Sequence, residues 1–124
     1  MSNITSIHHV SVIVSDISRA LDFYEQVLGL SVDEARPDLG YPGGWLRIGD
    51  QQLHLLELPN PDPVTNRPAH GGRDRHLAVT VNALDELIER LDQKKIDYTL
   101  SRSGRRALFC RDPDGNALEF IEQS

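Results

Sequence analysis

The chain is 124 residues long, 39% apolar and 26% charged, ordinary values for one soluble globular domain with enough length to bury a core. Its formal net charge of −6 argues against nucleic acid as a partner, and no apolar run approaches the roughly 18 residues of a membrane span. The single cysteine, Cys110, excludes an internal disulfide, and without a basic-then-apolar leader pattern the expected compartment is the reducing cytoplasm.

Residues 7–15 alternate around β-branched side chains and predict a strand. Ser15, Asp16 and Ser18 are N-cap types, and Ile17, Ala20, Leu21, Tyr24, Val27 and Leu28 recur at helical spacing up to Gly29. A second strand is expected at 30–35, a Pro- and Gly-rich loop at 37–44, and strands at 45–48 and 52–58 joined by Gly49-Asp50. The segment 59–74 holds four prolines and His70 and reads as a linker by default, or as a lid. Beyond it the order repeats: a strand at 76–81, a helix with Leu84, Leu87, Ile88 and Leu91 on one face after an Asn82 cap, and a strand at 96–100. A loop at 101–104 then leads to strands at 107–110 and 117–122, joined by the turn Asp112-Pro113-Asp114-Gly115-Asn116. One α+β domain, 1–124, follows: β-α-β-β-β modules at 7–58 and 75–122, separated by the linker and forming a curved mixed sheet.

The repeat carries metal-binding side chains in matching places. His9-Val10-Ser11-Val12-Ile13-Val14 is echoed by His76-Leu77-Ala78-Val79-Thr80-Val81, and Leu53-His54-Leu55-Leu56-Glu57 by Leu118-Glu119-Phe120-Ile121-Glu122. With a strand period of two, each strand turns one apolar face toward a helix and its ligand-type residue the other way. His9, His54, His76 and Glu119 all fall on that second face, and the expectation is that the paired modules curl around one metal site. His8 and Glu57 fall on the helix-covered face, which makes Glu57 the weaker alternative to His54 for the fourth position. Three imidazoles and a carboxylate suit one divalent transition metal, Zn, Ni, Co or Fe, better than Mg or Ca. Single histidines are more often structural, and His70 keeps that reading.

Charge is uneven. Residues 67–111 carry ten Lys/Arg against six Asp/Glu, and the rest of the chain three against thirteen. Arg90, Lys94 and Lys95 belong to a helix surface and its end. Arg102, Arg105 and Arg106, on the basic loop, are candidates to hold the carboxylate of a small anionic substrate, with Trp45 and Phe109 as pocket-lining aromatics.

His9-Val10, Val14-Ser15-Asp16, Phe23-Tyr24 and Leu28-Gly29-Leu30 resemble the opening of a vicinal oxygen chelate protein. Asp112-Pro113-Asp114-Gly115-Asn116 before Leu118-Glu119-Phe120 resembles its closing. The superfamily includes glyoxalase I, methylmalonyl-CoA epimerase, extradiol dioxygenases, and fosfomycin and bleomycin resistance proteins. The resemblance implies paired modules around a metal and a homodimer that can share sites between chains. It places family ligands on His9, His76 and Glu119, with His54 at the more variable fourth position and Glu119 as both ligand and base.

Departures narrow the choice. Glyoxalase I has Glu and the epimerase Gln where this chain has His54. The arginine that glyoxalases use for glutathione falls on Ile13. The tyrosine that assists extradiol dioxygenases falls on Phe109. Fosfomycin transferases have phosphonate-binding lysine and tyrosine where Thr99 and Phe109 stand. The expectation is a metal-dependent, glyoxalase-I-like lyase or isomerase that stabilises an enediolate of a small oxygenated substrate. The alternatives are an Fe(II) ring-cleaving dioxygenase and a non-catalytic binding protein of the bleomycin-resistance kind.

Overall fold

In the computed structural model, which describes residues 2–123, the β-α-β-β-β module appears twice. One compact unit ends at Asn60 and the other begins at Pro61. Most of the expected linker therefore belongs to the second unit.

The first unit holds β1 (His9–Val14), α1 (Ile17–Leu21), β2 (Ser31–Val32), β3 (Gly43–Ile48) and β4 (Gln51–Glu57). Its sheet runs β1-β4-β3-β2, with β4 parallel to β1 and antiparallel to β3. The parallel pair needs a long crossover, which the helix and the β2–β3 hairpin supply. Alternation does what it predicts: Val14, Leu53 and Leu55 are buried with Ala20, Phe23, Tyr24 and Val27, while His9 and Ser11 are exposed. The helix does not stay regular. Asp22–Val27 is a π-helical turn, and Leu28 N–H donates to Phe23 O at 3.0 Å. The wider turn buries the adjacent Phe23 and Tyr24 together, edge to face at 5.0 Å. Gly29 follows at φ +78°, the left-handed position expected past a helix end.

The second unit repeats the plan with β5 (His76–Val81), α2 (Leu84–Gln93), β6 (Tyr98–Leu100), β7 (Ala107–Arg111) and β8 (Ala117–Glu122). Its sheet runs β5-β8-β7-β6. Leu84, Leu87 and Leu91 of α2 are buried, as are Leu108, Leu118 and Phe120. Among the described residues no helix is long and apolar enough to cross a membrane.

The helix starts hold a correction. Asn82 does not cap α2. Ala83 occupies the cap position without a side-chain bond, and the Glu122 carboxylate accepts from Leu84 N–H at 3.0 Å. The same device recurs in the first unit, where Glu57 accepts from Ile17 N–H at 2.8 Å alongside the expected Asp16 cap on Arg19 N–H. Glu57 and Glu122 are repeat-related, so each module pins its helix to the end of its last strand. Glu57→Ala is expected to destabilise the protein by about 1 kcal/mol, the usual cost of a lost cap, read from the urea midpoint at unchanged m-value.

The segment 61–74 is anchored by charge. Arg67 forks onto Asp74, Nη2 to Oδ1 at 2.6 Å and Nε to Oδ2 at 3.1 Å. Arg111 of β7 donates to Asp74 Oδ2 at 2.8 Å and to Pro68 O at 2.6 Å. A 3₁₀ turn, Gly71–Arg73, then packs on the sheet. Gly71 is buried there, and a Cβ at that position would stand 3.2 Å from Phe109 Cβ.

Candidate metal centre

Each parallel strand pair brings two donor side chains together, in the same way in both units. In the first, His9 is level with Gln52 and Ser11 with His54. The two imidazoles are diagonal neighbours, stacked with centroids 4.0 Å apart and 12° from parallel. In the second, His76 is level with Ala117 and Ala78 with Glu119, and His76 Nε2 lies 3.2 Å from Glu119 Oε1. The residue directly across from the second donor is small in both cases, Ser11 or Ala78, so the ring two positions earlier has room to lean over it.

A hydrogen bond indicates which nitrogen of His54 is available. Gln52 gives its amide N–H to Asp33 at 2.8 Å, so its carbonyl oxygen faces His54 and accepts from His54 Nε2–H at 2.8 Å. Burial, then the neighbouring His9 and His8 rings, push His54 below the ordinary histidine range. In the neutral ring the lone pair is then on Nδ1. Trp45 stacks on the same ring at 4.6 Å. His8 and His9 share a bond between their Nδ1 atoms at 2.9 Å; with His9 as donor, its Nε2 carries the lone pair.

His76 is held through its far nitrogen: Nδ1–H donates to Asp74 O at 2.9 Å. In the neutral ring the lone pair then sits on Nε2, facing a carboxylate oxygen. A metal ion between these two atoms would take a lone pair from each. A backbone carbonyl on the far nitrogen is the support that metal-bound histidines commonly have. Glu119 is 3% exposed and takes Arg105 Nη2 on its other oxygen at 3.2 Å. On donor chemistry, each pair fits a transition metal. Among the described residues no group of three or more His, Cys, Asp or Glu stands close enough to hold one.

The His76–Glu119 pair lines a cleft of about 300 Å³ with Arg102, Arg105, Phe109 and His70. Phe109 is buried and lies between two imidazoles, edge to face with His76 at 5.3 Å and tilted against His70 at 4.9 Å. Arg106 stands apart. It pairs with Asp85 at 2.5 Å and Glu122 at 3.0 Å, tying α2 to the last strand. Glu57 is engaged at the helix start, which leaves His54 as the freer donor of the two. Cys110 is buried, which pushes its thiol up to about 12 and keeps it protonated and inert.

Sequence reasoning passed over Asp74, the hub that positions His76, and His70, set aside as a linker histidine. The available signal was the Gly71-Gly72 pair after His70, since paired glycines allow a backbone to approach closely.

Residues 6–120 match the model of the Glyoxalase/Bleomycin resistance protein/Dioxygenase superfamily. The chain is 35% identical to YwkD of Bacillus subtilis, over 95% of this chain and 97% of that one. It is 29% identical to glyoxylase I 4 of Arabidopsis thaliana, over 95% of this chain and 71% of that protein. A crystal structure of a Bacillus anthracis protein assigned to the glyoxalase family superposes with a TM-score of 0.82 at 25% identity, covering 100% of this chain and 99% of that one.

Proposed function

Because this chain belongs to the Glyoxalase/Bleomycin resistance protein/Dioxygenase superfamily, we propose that it is a metal-dependent lyase or isomerase of the glyoxalase I kind, acting on a small oxygenated anion. The observation that carries this reading is the His76–Glu119 pair, with its far nitrogen held by Asp74 O and its carboxylate buried against Arg105. The likeness to the Arabidopsis glyoxylase supports the same direction.

His9, His54, His76 and Glu119 are the residues that would hold the metal. A metal there would supply Lewis acidity to the bound substrate. The chain's own contribution is proton transfer and positioning. Glu119 Oε1 accepts the substrate's acidic C–H proton and returns it to the adjacent carbon, with Arg105 steadying Oε2 throughout. Phe109 covers one side of the pair and excludes water, and Arg102 offers a guanidinium to the substrate's anionic end.

A metal-free binding protein is the second reading, favoured by the lack of a three-donor group among the described residues. Elemental analysis of untagged protein decides between them. One Zn, Ni, Co or Fe per chain is expected, with turnover of methylglyoxal in the presence of a thiol. Protein that stays metal-free after reconstitution would move the assignment to the binding protein, and iron with catechol turnover to the dioxygenase.

A further inference from the structure

Building on the reading of the second unit's cleft as a substrate site, we propose that His70, Arg73 and Arg102 hold a tetrahedral dianion on that substrate, a phosphate monoester. Charge pairing singles these residues out. In this unit Arg67, Arg75, Arg106 and Arg111 each hold an aspartate or glutamate, and Arg105 holds Glu119. Arg73 and Arg102 have no ion pair among the described residues, and both line the cleft. With Arg105 balanced by Glu119, the two remaining guanidinium groups leave the cleft with an excess of two positive charges, in a chain whose formal net charge is −6. A phosphate monoester carries close to two negative charges at neutral pH.

His70 supplies an independent sign. Its Nδ1 accepts from Gly72 N–H at 3.0 Å, so the proton of the neutral ring is on Nε2. That atom is buried and has no hydrogen-bond partner. Buried donors are rarely left unmet, and an anionic oxygen is the strongest acceptor a ligand could bring. Gly72 keeps the geometry, since a Cβ there would stand 3.0 Å from the His70 ring and 3.1 Å from Phe109.

The arrangement of donors favours a tetrahedral group over a carboxylate. His70 and Arg73 come from the 3₁₀ turn and Arg102 from the loop before β7, where Ser101 and Ser103 add hydroxyls. A carboxylate accepts within one plane, whereas a phosphoryl group offers three oxygens to donors on separate segments. Phe109, between His70 and His76, would meet the carbon part of the substrate on the way to Glu119.

The test is calorimetric titration of chelator-treated protein with inorganic phosphate at neutral pH, with acetate as comparator. It needs neither metal nor turnover, so its failure is distinguishable from failure of the lyase assignment. Saturable phosphate binding is expected, much tighter than acetate binding. Arg73→Gln and Arg102→Gln should each weaken it at least about tenfold, as loss of a charged hydrogen bond does. His70→Asn, which keeps an acceptor for Gly72 N–H but lacks Nε2–H, should weaken it as well, and Arg106→Gln should leave it unchanged. No saturation by on the order of 10 mM phosphate, acetate bound as tightly, or wild-type binding in the Arg73→Gln/Arg102→Gln double variant would overturn the proposal.

Discussion

On the proposed metal-dependent reading, Glu119→Gln is expected to lower the affinity for an added divalent transition metal by at least about a hundredfold while the thermal transition moves little. Outer partners of metal ligands already account for 10–100-fold in affinity, and a ligand that loses its charge should cost at least as much. The amide keeps the volume of the buried side chain and an oxygen for Arg105, whose side chain is 58% exposed and can rehydrate. His76→Ala removes the other half of the pair and should match it. Chelator-competition titration gives the affinities and differential scanning calorimetry the folding control. Wild-type affinity in either variant would remove both residues from the proposed metal site, whatever activity the protein proves to have.

Asp74→Asn is expected to cost about 2 kcal/mol, below the roughly 3–5 typical of breaking a fully buried pair, because the two arginines keep partial access to water. Arg67 and Arg111 are 20% and 26% exposed, against 6% for Asp74. For a chain of this size that corresponds to a melting point lower by roughly 6–10 °C. The Arg67 guanidinium, then Arg111 and the Arg75 N–H, hold the Asp74 carboxyl well below the usual carboxylate range against the opposing effect of burial. A depressed carboxylate contributes stability that is complete above its unfolded value, near about 4, and is lost as pH falls toward the folded one. The gap between wild type and Asp74→Asn should therefore be constant from neutral pH to about 5 and shrink below about 4. A gap that widens on acidification would refute the ion-pair explanation. Since Asp74 O also holds His76 Nδ1–H, the variant should bind metal more weakly too.

Much of the architecture was legible because it depends on spacing along the chain. A strand period of two puts His9 opposite in facing to Val10, and Glu119 opposite to Leu118, wherever the strand lies. The repeat then places a donor at matching positions in each module, and the registers Ser11–His54 and Ala78–Glu119 show the match carried into pairing. The helix ends, the Pro–Gly loop and the left-handed Gly29 follow equally local rules.

What only the tertiary structure decided is which polar group meets which. Asn82 has the right chemistry for a cap, yet Glu122 takes the Leu84 N–H from 38 residues away. Arg105 and Arg106 are adjacent and look alike in sequence, but one reaches Glu119 and the other Asp85 and Glu122. The partners each one meets come from distant segments. Asp74 becomes a hub only because Arg67 and Arg111, one of them 37 residues along, converge on it. Local preference is set by backbone geometry and is written in the residue itself, whereas the assignment of a charge depends on every competing partner that folding brings within reach.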